Sequence, residues 1–325
     1  MTMDDLDLRL LDGFQRDLPL EPRPFAAMAT RLGTGEAEVI ARLVRLRDEG
    51  IVSRIGATCR PNTAGASTLA ALRVPAPRVD EIAALVGAEP GVNHSYLREG
   101  DWNLWFVATA PDTAALAESL VRIEAATGLA VLSLPLVRAF NIDLGFPLIG
   151  PRRAMALDRP ADLDALRPRD KALMQALSSG LALVPRPFVA LGQALHRSEA
   201  EVISRIRALA EARILTRVGV IVKHRALGWT QNAMVVWRLP EAAVEAAGTA
   251  LAGVPGVTLC YQRRCVPGLW DWPLFCMIHA RSHAEAMEVL AEARALPELQ
   301  EVPHRILFST RCFRQRGATI AEVAA

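Results

Sequence analysis

Pro22-Arg23-Pro24-Phe25 returns 163 residues later as Pro185-Arg186-Pro187-Phe188, and Glu36-Ala37-Glu38-Val39-Ile40 returns as Glu199-Ala200-Glu201-Val202-Ile203. Across residues 22 to 56, 16 of 35 positions are identical in the two copies. The match resumes where Gly91-Val92, Tyr96 and Arg98 pair with Gly256-Val257, Tyr261 and Arg263. After a five-residue insertion, Asp101-Trp102 pairs with Asp271-Trp272. Solenoid repeats run at about 20–50 residues, so a period this long describes two fused copies of one multi-element domain. Two like copies in one chain predict a pseudo-symmetric dimer with two-fold logic built in.

Each copy divides at a shift in hydrophobic period. Leu10, Leu11 and Phe14, then Val39, Ile40, Leu43 and Leu46, recur at helical spacing, with the turn Gly33-Thr34-Gly35 before the second group. The strand-like Ile51-Val52-Ser53-Arg54-Ile55-Gly56 follows, and its second copy is Ile214-Leu215-Thr216-Arg217-Val218-Gly219. That order predicts a winged helix-turn-helix over residues 1–62 and again over 163–228. Strands near Leu69–Val74, Val92–Leu97, Trp102–Thr109 and Val131–Phe140, with helices near Val79–Val86 and Thr113–Ala125, predict the ferredoxin-like order βαββαβ over 63–150. The second such region, 229–325, has its elements from Ala233 to about Arg311. Residues 151–162, with weak periodicity and two prolines, read as the linker. The expected fold class is α+β, a tandem repeat of winged helix-turn-helix plus ferredoxin-like βαββαβ domain.

Composition narrows the function classes. With 325 residues, 51% of them apolar, the chain is long enough for two or more cored domains and is no disordered scaffold. Its 37 Lys+Arg against 35 Asp+Glu leave a net charge of +2, too little for a field that draws nucleic acid or anionic lipid regardless of sequence. Five cysteines without a Cys-x-x-Cys pair suggest neither a disulfide framework nor a structural zinc site, which fits a reducing cytoplasm. The N-terminus is acidic, and no apolar run approaches the ~18 residues of a membrane span, so a soluble intracellular protein without membrane contact is expected. Dinucleotide, P-loop, His-Glu-x-x-His and nucleophile-elbow motifs do not occur.

A winged helix followed by a ferredoxin-like domain resembles the Lrp/AsnC transcription regulators, over nearly the whole chain and twice. The helices that would read DNA argue against that activity. Residues 36–49 set Arg42, Arg45 and Arg47 against Glu36, Glu38, Asp48 and Glu49, and residues 199–213 set three Arg against three Glu. Two acids fall in each first turn, where the helix dipole favours them but a phosphate backbone does not. DNA binding is therefore not expected, and the helices read as a packing scaffold.

A sharper resemblance lies in the ferredoxin-like halves. Asn93-His94-Ser95-Tyr96-Leu97-Arg98-Glu99-Gly100-Asp101-Trp102-Asn103-Leu104-Trp105-Phe106 resembles the signature hairpin of the sirohaem decarboxylases, an enzymatic branch of the Lrp/AsnC fold. Cys260-Tyr261-Gln262-Arg263-Arg264 and Trp272-Pro273-Leu274-Phe275-Cys276-Met277-Ile278-His279 are similar to the C-terminal partner in that family. Two homologous subunits cooperate there, and the chain resembles a fusion of the two. The resemblance implies loss of carbon dioxide from two acetate side chains of sirohaem, giving didecarboxysirohaem on the way to haem d1. It implies no cofactor beyond the iron of the substrate, other decarboxylase subunits of the pathway as partners, and a pseudo-dimeric chain that can self-associate. The alternative is an Lrp/AsnC-like regulator that senses a ligand.

The residues suit that chemistry. A substrate with eight carboxylates calls for hydrogen-bonding forks, a task for Arg, and only Lys171 and Lys223 among the basic residues are lysines. A flat macrocycle calls for apolar walls, which Trp102, Trp105, Trp270, Trp272 and Phe275 can supply, core packing being their competing role. Decarboxylation needs a cation beside the neighbouring carboxylates, an apolar setting and a proton donor. Alternation sets His94, Tyr96 and Arg98 on one strand face, and these with Tyr261 and Arg263 are the catalytic candidates. Trp102, Asn103, Arg264, Trp272, His279, His304 and Arg311 are the expected substrate-binding residues. No metal ligand is assigned, axial ligation by His94 or His304 being open. Arginines on the last strand, absent from the first copy except for Arg138, predict that the C-terminal half holds most of the polyanion.

Overall fold

The computed structural model describes residues 3–142, 145, 147–150 and 159–317. The chain divides into two compact units, and each is assembled from both halves of the repeat. One comprises residues 3–63, 145, 147–150 and 160–228, the other 64–142, 159 and 229–317. Of the linker expected at 151–162, residues 151–158 lie outside the described residues. No helix among the described residues is long and apolar enough to cross a membrane.

The first unit holds two helix trios, α1 (Asp5–Gly13), α2 (Pro24–Leu32) and α3 (Glu36–Asp48), then α6 (Asp170–Ser179), α7 (Pro187–Leu195) and α8 (Glu199–Glu211). The repeated Pro-Arg-Pro-Phe places a proline at the first turn of α2 and of α7, where its missing N–H costs nothing. Leu10, Phe25, Val39, Leu43 and Leu46 bury the apolar faces of the first trio. The strand after each trio, β1 (Val52–Cys59) or β6 (Leu215–Val222), finds its partner in the other half, and the two pair antiparallel. Gly56 faces Gly219 in that ladder, the same position of the two copies, so the pseudo-two-fold passes between them. A Cβ at Gly56 would lie 2.2 Å from the Leu177 carbonyl oxygen, and one at Gly219 would lie 2.3 Å from that of Gln15. Each glycine thus admits the end of the opposite half's first helix, which explains why both copies keep it.

The would-be recognition helices spend their charges internally. Asp7, side chain 2% exposed, takes Arg45 at 2.6 Å and Arg42 at 2.9 Å, and the equivalent Asp170 takes Arg205 at 2.6 Å. Arg23 pairs with Glu36 and Arg186 with Glu199, Arg47 pairs with Asp48, and Arg207 donates to the Leu20 carbonyl.

In the second unit the first half supplies β2 (Ala66–Leu72), β3 (Val92–Arg98), β4 (Leu104–Ala110) and β5 (Leu132–Asn141), with α4 (Val79–Ala88) and α5 (Thr113–Thr127). The second half supplies β7 (Gln231–Trp237), β8 (Val257–Arg263), β9 (Leu274–Ala280) and β10 (His304–Gln315), with α9 (Glu241–Ala252) and α10 (His283–Arg294). Each set is the expected βαββαβ. The sheets do not end at the halves: β5 pairs with β8 and β10 with β3, closing one eight-stranded barrel in the order β10-β3-β4-β2-β5-β8-β9-β7. Closure removes every sheet edge. The helices cover the outer face of each sheet over separate cores, one around Ile82, Val86 and Phe106 and one around Val244, Leu251 and Ile278. Phe140 at the end of β5 packs into the second half's outer core, and its counterpart Phe313 packs against the first half's. Inside the barrel a third cluster joins Leu69, Trp105, Leu134, Met234, Tyr261, Phe275 and Leu307 from both halves.

Candidate active site inside the barrel

Register aligns the copies strand by strand. Tyr96 lies opposite Trp105 as Tyr261 lies opposite Phe275, and Ser309 lies opposite Arg98 as Leu136 lies opposite Arg263. Tyr96 and Tyr261, the only two tyrosines of the chain, are therefore equivalent interior residues, each two positions before an arginine on its strand. The Arg98 guanidinium lies 5.4 Å from the Tyr96 ring centroid, and that of Arg263 lies 4.6 Å from Tyr261. Arg98 donates to the Leu307 carbonyl at 3.0 Å, and Arg263 to the equivalent Leu134 carbonyl at 2.7 Å.

Burial pushes Arg98 down to about 10, with Tyr96, Tyr261 and Cys312 pulling the other way, so its guanidinium stays charged at neutral pH. Burial also lowers Arg263, opposed by Tyr261, and raises Tyr261 against the pull of Arg263 and Arg98. Tyr261 thus keeps its proton where an exposed phenol would begin to lose it.

Around the two Arg-Tyr pairs the halves diverge. His94 corresponds to Leu259, Asn232 to Ser67, His279 to Thr109, Ser309 to Leu136 and Cys312 to Ala139. The more polar member stands each time on β3, β7, β9 or β10, so one side of the interior, built from both halves, is the more polar. His94 stacks near Tyr96 with ring centroids 6.4 Å apart. Asn232 accepts from Arg98 at 2.8 Å, and its amide nitrogen lies 2.7 Å from His279 Nε2. Elsewhere the interior is aromatic: Trp105 meets Trp270 edge-on at 5.1 Å, Trp270 stacks on Phe275 at 6.0 Å, and Phe275 stacks on Tyr261 at 5.7 Å. Trp270 sits in the five-residue insertion of the second copy, which places a tryptophan against the first half.

A cavity of about 400 Å³ opens beside these residues, lined by Gly100, Asp101, Trp102, Trp270, Arg305 and Leu307. Trp102 and its equivalent Trp272 flank this region, and each carries an arginine at the same repeat position, Arg73 at 4.5 Å and Arg238 at 4.6 Å from the ring centroids. Arg305 adds a second guanidinium 4.8 Å from Trp272. These three arginines are exposed. Planar cations over indoles beside a cavity suit an aromatic polycarboxylate.

Several expected substrate contacts are placed elsewhere. The Asn103 amide is spent on both backbone groups of Val74, at 2.8 Å each, and fastens the strand end. His304 stands on the outer face, its ring 4.9 Å from Trp237 in the second half's core, because its parity on β10 is opposite to that of Leu307. Simple alternation would turn Arg311 inward with Leu307 and Ser309, but a bulge between Ser309 and Arg311 reverses the parity. Arg311 pairs outside with Asp80, as Arg138 pairs with the equivalent Glu245 at 2.8 Å, so the two are matched ion pairs between the halves. Arg264 is exposed just past β8. His279 is interior, with both ring nitrogens engaged by Asn232 and Thr258. Among the described residues no cluster of three His, Cys, Asp or Glu offers a metal site.

Sequence reasoning missed Arg73, Arg238, Asn232 and Cys312, and reached Arg305 only as one of the arginines of the last strand. The repeat offset would have singled out Arg73 with Arg238. Asn232 had no such signal, since its counterpart is a serine.

A family model for an AsnC-like ligand binding domain matches residues 64–141 and 226–314, and one for a siroheme decarboxylase NirDL-like HTH domain matches 7–52 and 170–215. The chain is 88% identical, over 326 aligned positions and all of both chains, to the siroheme decarboxylase NirDL subunit of Paracoccus pantotrophus. It is 51% identical over 151 residues to the siroheme decarboxylase NirD subunit of Stutzerimonas stutzeri, covering 46% of this chain and 99% of that one. Among solved structures, the siroheme decarboxylase NirDL in complex with an iron-uroporphyrin III analogue superposes with a TM-score of 0.68 at 28% identity, over 98% of this chain and 94% of that one.

Proposed function

The chain belongs to the sirohaem decarboxylase family, and from that premise we propose that its barrel interior removes the carboxylates of two acetate side chains of sirohaem. The observation that carries this placement is the pair of interior Arg-Tyr sets, Tyr96 with Arg98 and Tyr261 with Arg263, beside a cavity lined by Trp102, with Arg73 over its ring, and by Arg305. Arg73, Arg238 and Arg305 hold peripheral carboxylates, and Trp102 and Trp272 face the macrocycle. Arg98 and Arg263 fix the groups next to the reacting acetates, and the surrounding apolar side chains withhold water from the leaving carboxylate.

In each turnover the bond between the methylene and carboxylate carbons breaks heterolytically. Carbon dioxide departs, the electron pair passes into the conjugated ring, and one proton converts the methylene to a methyl group. No external oxidant or reductant enters. His94, Tyr96 and Tyr261 are the proton donors within the interior, with Tyr261 kept protonated by its burial. The iron stays with the substrate, and no further cofactor is required.

The product is didecarboxysirohaem, an intermediate toward haem d1, made in the cytoplasm by a chain that associates with itself or with related subunits. The alternative, a ligand-sensing regulator that binds DNA, loses support because Arg42, Arg45, Arg47 and Arg205 are paired with acids of their own unit. Anaerobic incubation with sirohaem followed by mass spectrometry of the tetrapyrrole tests the reading. Two successive losses of carbon dioxide are expected, slowed by Arg263→Ala and His94→Ala. Full turnover in both variants would remove these residues from the site, and unchanged sirohaem with the wild-type chain would overturn the reaction itself.

A further inference from the structure

Arg98 carries five N–H donors, and three are committed: Nη1 to the Asn232 and Leu307 carbonyls at 3.3 and 3.0 Å, and Nη2 to Asn232 Oδ1 at 2.8 Å. A guanidinium only donates, so Asn232 must present its oxygen to Arg98 and its amide N–H to His279 Nε2, 2.7 Å away. Nε2 is then the acceptor, and the proton resides on Nδ1. Nδ1–H donates to Thr258 Oγ1 at 2.6 Å, and that hydroxyl donates onward to the Met277 carbonyl at 3.1 Å. Every donor and acceptor along this line has its direction dictated by Arg98 at one end and a backbone carbonyl at the other. Arg98, Asn232, Thr258 and His279 are all buried.

In the other half Ser67, Asn93 and Thr109 stand where Asn232, Thr258 and His279 stand, and the line is of different make: Asn93 donates to Thr109 at 3.4 Å and Thr109 to the Gly91 carbonyl at 3.2 Å. Arg263 donates to the Leu134 carbonyl and has a side-chain hydrogen bond with Tyr261 of its own strand. Of the two arginines related by the pseudo-two-fold, Arg98 is the one that takes a side chain of the opposite half, Asn232, as its partner.

We propose that Asn232 and His279 are positioning residues for decarboxylation, holding Arg98 so that its two remaining N–H bonds meet a substrate carboxylate in a fixed orientation. The proposal rests on the reading of Arg98 as part of the site. It makes the working arrangement a composite, since Arg98 comes from the first half and its clamp from the second. Charge alone would survive without the clamp, whereas orientation would not, so the loss belongs in kcat more than in substrate binding.

The test is a double-mutant cycle with three readouts: anaerobic decarboxylation rate, sirohaem affinity from its visible absorption, and thermal midpoint. Asn232→Ser and His279→Leu are each expected to lower kcat about 10- to 100-fold, the factor that a buried hydrogen bond to a charged group represents, with affinity within about threefold of wild type. His279→Gln, whose amide can accept from Asn232 and donate to Thr258, is expected to recover most of the rate lost in His279→Leu. In an Arg98→Ala background, neither Asn232→Ser nor His279→Leu should lower rate or affinity further. Additive losses there, or equal losses in His279→Gln and His279→Leu, would overturn the clamp. Wild-type rate and affinity in Arg98→Ala alone would instead remove Arg98 from the site, a failure of the underlying reading that the same series separates from failure of the clamp.

Discussion

Replacing Asp170 by Asn tests how the two copies of the helical unit store their buried charge. The Asp170 side chain is 1% exposed and takes Nε and Nη2 of Arg205 at 2.8 and 2.6 Å and the Arg167 backbone N–H at 2.7 Å. An asparagine there presents amide hydrogens to at least one of these donors and leaves the Arg205 guanidinium, itself 9% exposed, without a counter-charge. Breaking such a pair from one side costs about 3–5 kcal/mol. At about 2–4 °C per kcal/mol this is a fall of roughly 10 °C in the midpoint of that unit. Asp7→Asn is the internal control. Its partners Arg42 and Arg45 are 18% and 33% exposed and retain Asp4, Glu38 and Glu49, so water and other acids take up the charge. Discounted for that exposure, its loss is about 1–2 kcal/mol, or roughly 4 °C. Burial pushes the Asp170 carboxyl up, but Arg205, the Arg167 N–H and Arg197 together hold it below its ordinary value. A depressed carboxyl contributes stability that is complete above its unfolded pKa of about 3.9 and is lost as pH falls through the lower folded value. Calorimetry from pH 7 down to pH 2 should therefore show a gap between Asp170→Asn and wild type that narrows below about pH 4. Equal losses for Asp7→Asn and Asp170→Asn, or a gap that persists undiminished at the acid end, would refute the reasoning.

Gly248→Ala sets a Cβ 2.3 Å from the Phe140 ring, which reaches over from the other half, and should cost about 1–3 kcal/mol, largely recovered in the double variant with Phe140→Leu when both are followed by urea unfolding. Arg305→Ala and Arg238→Ala should each raise the KM for sirohaem about tenfold at unchanged kcat, since Arg305 lines the cavity and Arg238 shares the Trp272 ring with it, and steady-state kinetics at two salt concentrations will check it. Asn103→Ala should lower the thermal midpoint through the loss of two bonds to Val74 while leaving KM unchanged, a result that separates fastening the strand from touching the substrate.

The repeat, the helix trios and the βαββαβ order were legible because each rests on local pattern: the period of apolar residues, the Pro-Arg-Pro-Phe start and the glycine turns. The interior placement of Tyr96 with Arg98 and of Tyr261 with Arg263 was legible too, since the same residues recur at one offset and a strand's alternation puts both members of each pair on one face. Arg311 was misplaced because a β-bulge reverses parity, and nothing in Phe308-Ser309-Thr310-Arg311 marks the extra residue. His304 was misplaced because its parity on β10 is opposite to that of Leu307, and the sequence of the strand does not say which parity faces the interior.

By itself the sequence determined two copies of each domain, their element order and the residue types that a polycarboxylate macrocycle requires. Only the tertiary structure decided that β5 joins β8 and β10 joins β3, so that two sheets become one barrel with a shared interior. The reason is that inter-strand pairing is made by backbone groups common to every residue, and its register follows from packing of side chains distant in the chain. The same packing put Asn232 and His279 of the second half against Arg98 of the first, a contact that no spacing along the chain encodes.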